Sequence, residues 1–189
     1  MINFDLNNRV AIVTGGAQGF GLAITERFIK SGAKVIIWDI DKKMAEEAIN
    51  KINSENCIYQ IVDVKNFDQI NKNIIEVEKK FKKIDIFINN AGITGSNATI
   101  AEYPVEEWKK VIDLNLNSVF YCCKSVVPYM VKNNYGRIVN IASIWSINAK
   151  SGRSIYSISK NAVHGMTKSM AVELSKHNII VNTVSPGFT

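Results

Sequence analysis

The sequence predicts an α/β protein: a doubly wound parallel sheet, strand order 3-2-1-4-5-6, with helices on both faces. Two observations predict it. Short runs of branched apolar residues alternate along the chain with longer segments whose apolar residues recur at helical spacing. The first such run passes directly into a glycine-rich turn that opens a helix, the connection a right-handed parallel crossover requires.

Residues 8–14 are the first strand and residues 22–30 the first helix, joined by Gly15-Gly16-Ala17-Gln18-Gly19-Phe20-Gly21. Glycines admit positive φ and let a main chain approach a pyrophosphate closely. The N–H groups and dipole at the start of the helix attract its charge. A dinucleotide is the ligand such a turn suits.

The second strand, Lys34–Asp39, ends in an acid placed to hold the adenosine ribose hydroxyls and to repel a 2′-phosphate. With no Arg or Lys in the glycine loop, NAD(H) is favoured over NADP(H), although Lys42 and Lys43 follow closely. The competing role for Asp39 is a turn or cap ahead of the helix at residues 42–53, which Asp41 could fill instead.

Residues 58–62 form the third strand, ending at Asp63 and Val64. Asp63 faces the adenine or serves as a turn residue or N-cap. A helical repeat spans Phe67–Phe81, and residues 84–88 are the fourth strand. That strand leads into Asn89-Asn90-Ala91-Gly92, a small-residue turn that lets backbone pass near the cofactor ribose. Residues 93–103 lack clear periodicity, follow a strand end and border a substrate pocket.

A long helical region covers residues 105–132. Asn115 inside it reads as a mid-helix polar residue at a kink, with Asn117 an equal candidate. Residues 137–141 are the fifth strand, which delivers Ser143 at its C-terminal end, where open α/β sheets bind ligands. A helix over residues 154–177 sets Tyr156 and Lys160 one turn apart on one face, so they can act as a unit. An ammonium beside a phenol stabilises its ionised form. Ile179–Val184 is the sixth strand, closing at Ser185-Pro186-Gly187.

The pattern T-G-x-x-x-G-x-G from Thr14 to Gly21, N-N-A-G from Asn89 to Gly92, and Ser143 with Tyr156 and Lys160 resembles the short-chain dehydrogenase/reductase family over essentially the whole chain. The resemblance implies one Rossmann-type NAD(P)-binding domain over residues 1–189 and a catalytic set of Asn115, Ser143, Tyr156 and Lys160. The cofactor site it implies draws on Thr14, Gly15, Gln18, Gly19, Phe20, Gly21, Asp39, Asp63, Val64, Asn90, Ala91 and Gly92, with Tyr156, Lys160, Pro186 and Gly187 at the nicotinamide end. The implied reaction is hydride transfer between NAD(P)(H) and a secondary alcohol or ketone. Tyr156 exchanges the proton, Ser143 orients the substrate oxygen, and Asn115 holds a water linking Lys160 to solvent.

The pattern is most similar to the 3-oxoacyl-(acyl-carrier-protein) reductase branch, which makes a 3-oxoacyl thioester a candidate substrate. Asp39 departs from the NADP preference usual there. The family also implies a homodimer or homotetramer built on the helices that carry Asn115 and Tyr156. Their apolar residues, including Val119, Phe120, Val126, Val127 and Tyr129 on one and Val163, Met166, Met170 and Leu174 on the other, serve core, interface or both.

Composition narrows the alternatives. A chain of 189 residues, 47% hydrophobic, holds one sizeable core, and no stretch predicts a membrane span or a signal peptide, so a cytoplasmic location is expected. Three cysteines without metal spacing and two isolated histidines predict no metal. The net charge of +6 comes from lysines interleaved with glutamates, a solvated surface with no nucleic-acid or membrane partner. The competing class is a cofactor-binding module without catalysis. Family members continue past the proline-glycine turn with a helical cover and a further strand. A chain stopping at Thr189 is therefore expected to behave as a truncated product that binds NADH, exposes Ile179–Val184 as an apolar edge, and turns substrate over poorly.

Overall fold

The structure is a computed structural model and describes residues 4–187; the chain end at Thr189, on which the expected loss of a cover turned, lies outside the described residues. Strands β1 (Val10–Thr14), β2 (Lys34–Asp39), β3 (Cys57–Ile61), β4 (Ile86–Asn89), β5 (Gly136–Ile141) and β6 (Ile179–Val184) form one sheet in the order β3-β2-β1-β4-β5-β6. Every pairing is parallel, with Val13 opposite Ile37 and Ile88, and Ile88 opposite Val139.

Strand alternation divides the core. Ala11, Val13, Val35 and Ile37 point to the face covered by α1 (Gly19–Lys30) and α2 (Lys42–Ile52). Val10, Ile12, Ile36 and Trp38 point to the other, against α3 (Phe67–Phe81), α5 (Ser118–Lys132) and α6 (Ser154–Leu174). On that second face Trp38 and Phe87 meet edge to face, centroids 5.6 Å apart, an arrangement favoured by the ring quadrupoles. Because β1 is covered on both faces, it is buried throughout, apolar from Val10 to Val13 rather than alternating.

The expected segmentation differs in instructive places. α1 starts at Gly19, inside the glycine loop, with Gly19 itself at a left-handed φ of +53° where the chain turns into the helix. The region at residues 105–132 is not one helix: α4 (Val105–Ile112) passes through a π turn, Asp113–Asn117, into α5. The last helix ends at Leu174, and a 3-10 turn follows at Ser175–His177. Strand β6 is the sheet edge among the described residues. It buries Ile179 and Val181 and leaves Ile180 and Val184 about half exposed.

Candidate active site

The C-terminal ends of the strands gather the glycine loop, the Asn89–Gly92 turn, Ser143 and the start of α6 around one cavity of about 370 Å³. Gly15 has φ of +59°, the left-handed region that favours glycine. Gly21 is packed so tightly that a Cβ there would lie 2.0 Å from the Gly15 carbonyl oxygen. The main chain is thereby held close to the cavity at the N-terminal end of α1, where Gln18 makes no side-chain cap and Gln18 and Phe20 line the wall.

Thr14 and Asn90 stitch two turns together. The Thr14 hydroxyl accepts from the Asn90 and Ala91 N–H groups at 2.9 and 3.0 Å, and the Asn90 amide donates to the Thr14 and Gly15 carbonyls at 2.9 and 3.1 Å. Thr14 is buried behind the loop, while Gly15, Gln18, Phe20, Asn90, Ala91 and Gly92 line the cavity wall.

Asp39 is buried at the end of β2. Its carboxylate accepts from Ala17 N–H in the glycine loop and from Asp41 N–H, both at 3.2 Å. The helix-cap role falls to Asp41, which accepts from Met44 N–H at 3.1 Å at the start of α2. Asp63 closes a tight turn instead, accepting from Lys65 N–H at 2.9 Å, with the Lys65 ammonium 3.7 Å away; Asn66 caps α3, and Val64 packs into the core.

Ser143 leaves the end of β5. Its hydroxyl accepts from Trp145 N–H at 3.2 Å and so caps the short turn at Ile144–Ser146. Within that turn Ile144 N–H donates to the Pro186 carbonyl at 2.9 Å, which draws Pro186 and Gly187 onto the cavity wall beside Ser143.

Tyr156 and Lys160 reach the same cavity from α6, the ammonium 5.9 Å from the phenol ring centroid. Lys160 is only 4% exposed and donates to the Ile141 carbonyl at 2.7 Å. Burial pulls its pKa down to about 8.

Asn115 sits in the π turn with no exposed surface. Its side chain clasps Ile93 in both directions, accepting from its N–H at 2.9 Å and donating to its carbonyl at 2.8 Å, and it donates to Ser159 at 3.0 Å. The widened turn is what aims this amide inward; π turns of this kind recur at functional sites. Asn117 stays at the helix surface, donating to Asp113 at 2.7 Å. A Cβ on Gly92 would fall 3.1 Å from the Asn115 side-chain oxygen and 3.3 Å from the Lys160 nitrogen, so the backbone passes close between turn and helix. These tight backbone approaches, beside an acid at the end of β2, fit a nicotinamide dinucleotide.

The family model described as short chain dehydrogenase matches residues 9–189. The chain belongs to the short-chain dehydrogenase family. It is 38% identical, over 94% of its length and 71% of the relative's, to 2-dehydro-3-deoxy-L-rhamnonate dehydrogenase (NAD(+)) of a Sphingomonas species. It is 40% identical to the 3-oxoacyl-(acyl-carrier-protein) reductase FabG of Thermotoga maritima, over 97% of this chain and 75% of that one. A solved NAD+-bound xylitol dehydrogenase superimposes with a TM-score of 0.93 at 31% identity, covering 96% of this chain and 71% of that chain. As a member of this family the protein is an NAD(P)-dependent oxidoreductase.

Within this short-chain dehydrogenase, Ile93 and Thr94 bring the start of the loop at residues 93–103 onto the cavity wall, and Ile141 and Ala142, not singled out from sequence, line it as well. Ile141 and Ala142 directly precede Ser143 along the chain, and that proximity was the only available signal for them. Among the described residues no three His, Cys, Asp or Glu side chains cluster as a metal ion would need, and no helix is long and apolar enough to cross a membrane.

Proposed function

We propose that this short-chain dehydrogenase interconverts a small-molecule ketone and its secondary alcohol with NAD(H), using Tyr156, Lys160, Ser143 and Asn115. The observation that carries the reading is the convergence of Ser143, Tyr156 and Lys160 on the cavity that the glycine loop opens. A bound nicotinamide supplies or accepts the hydride. In the reducing direction Tyr156 delivers the proton to the carbonyl oxygen, and Ser143 donates a hydrogen bond to that oxygen and fixes its place. Lys160 brings positive charge to the phenol and to the ribose side of the cavity. Asn115 holds Ile93 and, through Ser159, the first turn of α6, keeping the cavity wall in register; a water between it and Lys160 completes the proton path.

Asp39 selects NAD(H). A carboxylate fixed on the glycine loop disfavours a 2′-phosphate, and the nearby Lys42 and Lys43 are turned onto Glu46 and Glu47 of their own helix, at 3.7 and 3.9 Å. The three buried free thiols suit a reducing compartment, the cytoplasm.

A second copy of the chain completes the assembly. Val119, Val126 and Val163 are spent on the core, whereas Phe120, Val127, Met166, Met170 and Leu174 line an apolar groove between α5 and α6, with Phe120 50% exposed. A monomeric mass by light scattering at micromolar concentration would count against this face as an interface.

The deciding assay titrates NADH and NADPH by fluorescence and then follows cofactor absorbance with a panel of ketones and acetoacetyl thioesters. Tight NADH binding with reduction of one class is expected. Binding without oxidation by any carbonyl would reduce the protein to a cofactor-binding module.

A further inference from the structure

Ser143 can act only if its hydroxyl proton is free to point at the substrate oxygen. A serine hydroxyl carries one proton and two lone pairs, and one lone pair here takes the Trp145 N–H at 3.2 Å. That bond turns the acceptor side of the oxygen toward the backbone and leaves the proton for the cavity that Ser143 lines. The hydroxyl therefore keeps its aim only while the turn at Ile144–Ser146 keeps its shape.

Ser146 sets that shape. It is 4% exposed, and its N–H and hydroxyl both donate to the Ser143 carbonyl, at 2.9 and 2.5 Å. Its own carbonyl accepts from the Asn161 side-chain amide at 2.6 Å. Asn161 directly follows Lys160 on α6. The helix that delivers the phenol and the ammonium thus also grips, from another of its faces, the turn that delivers the hydroxyl.

The other flank of the turn is anchored independently. Ile144 N–H donates to the Pro186 carbonyl at 2.9 Å, and Ala142 N–H donates to the Val184 carbonyl at 2.8 Å, so β6 and the residues after it hold that side. His164, one turn beyond Asn161, ties the same flank to α6, with Nδ1 3.2 Å from the Thr183 hydroxyl and Nε2 3.1 Å from the Ser185 hydroxyl. Asn161 itself is exposed, whereas α6 is seated by the buried Ile155, Val163 and Thr167. Removing the Asn161 amide would loosen one side of the turn without unseating the helix.

We propose that Asn161 is a positioning residue for the reduction: through Ser146 it holds Ser143 in place relative to Tyr156, so that both hydroxyls address one substrate oxygen. This deepens the reductase reading and rests on it for the role of Ser143. A hydrogen bond to the carbonyl oxygen strengthens as negative charge develops there, so a misaimed donor costs rate and leaves cofactor affinity alone. Asn161 acts on neither substrate nor cofactor; its effect passes through the turn.

The test uses the full chain with NADH and two ketones, acetoacetyl-coenzyme A and ethyl acetoacetate. Asn161→Ala should lower kcat and kcat/KM together by on the order of tenfold, with NADH affinity and melting temperature close to those of the wild type. Asn161→Asp keeps the shape but cannot donate to a carbonyl, and should lose rate as the alanine variant does. A double-variant cycle separates aiming from general loosening. With Ser143→Ala already in place there is no hydroxyl left to aim, and adding Asn161→Ala should cost less than about twofold further.

Hydrogen exchange gives a readout that needs no turnover. The amides of residues 144–148 are tied by the bonds of the turn, and in Asn161→Ala they should exchange roughly threefold to tenfold faster while those of α6 do not change. If neither ketone is reduced, the failure lies with the reductase reading and exchange alone decides: faster exchange confined to residues 144–148 upholds the hold on Ser143. A wild-type rate in either Asn161 variant, the same fold-loss with and without the Ser143 hydroxyl, or unchanged exchange in the turn overturns the proposal.

Discussion

Replacing Lys160 by Met tests the energetics of the site directly. The ammonium is almost wholly buried, and burial lowers its pKa from 10.5 to about 8. For a base the sign runs this way: the unfolded chain holds the proton more tightly than the folded one, so below pH 8 the folded state carries the full cost of the buried charge. That cost is released as pH rises from about 8 toward 10.5. At about 1.36 kcal/mol per pKa unit the cost is roughly 3 kcal/mol at pH 7, and under 1 kcal/mol remains at pH 10. Methionine has a similar shape and no charge. It forfeits the hydrogen bond to the Ile141 carbonyl, but that loss depends little on pH. The difference in unfolding free energy between wild type and Lys160→Met should therefore move toward the wild type by about 2.5 kcal/mol between pH 7 and pH 10. Urea unfolding of the two proteins without cofactor, followed by tryptophan fluorescence at each pH, measures this. A gap that stays constant, or moves against the wild type, would refute a buried ammonium of lowered pKa.

Further outcomes are expected. Tyr156→Phe should abolish turnover while leaving the NADH fluorescence titration nearly unchanged, since the ring is kept and only the proton carrier is lost. NADH affinity of the wild type should weaken above about pH 8 as Lys160 loses its charge, and Lys160→Met should bind weakly at every pH; fluorescence titrations from pH 6.5 to 9 check both. Gly21→Ala, whose Cβ would overlap the Gly15 carbonyl, should cost about 1–3 kcal/mol and impair cofactor binding. Gly165→Ala, with open space around it inside α6, should stabilise by about 0.5–1 kcal/mol; thermal melts compare them. Asp39→Ser should narrow the preference for NADH over NADPH, read as the ratio of kcat/KM values.

What could be read in the sequence was what depends on neighbours. Lys34–Asp39, Phe67–Phe81 and Ile179–Val184 match their strands and helix end to end, because apolar periodicity is local and no competing turn chemistry blurs their ends. The glycine loop and the one-turn spacing of Tyr156 and Lys160 belong to the same class. Asn115 was different: its partner Ile93 lies 22 residues away and its orientation depends on a π turn that periodicity registers only as a kink, so residues alone ranked it equal to Asn117. Asp39 and Asp41 were indistinguishable as caps until Ala17 and Met44 came within hydrogen-bonding distance.

The strand order also sets a schedule for synthesis. β1 can pair with β2 as soon as residues 34–39 emerge, but its other edge waits for β4, and between Thr14 and Ile86 lies the whole of α1, α2, β3 and α3. At roughly 5–20 residues per second, that apolar edge stays open on the ribosome for on the order of several seconds. Over that interval the nascent half-sheet is a template for any other extended chain nearby. The yield of this enzyme in a cell should then respond to translation speed through residues 40–85 and to chaperone supply, even when the finished protein is equally stable.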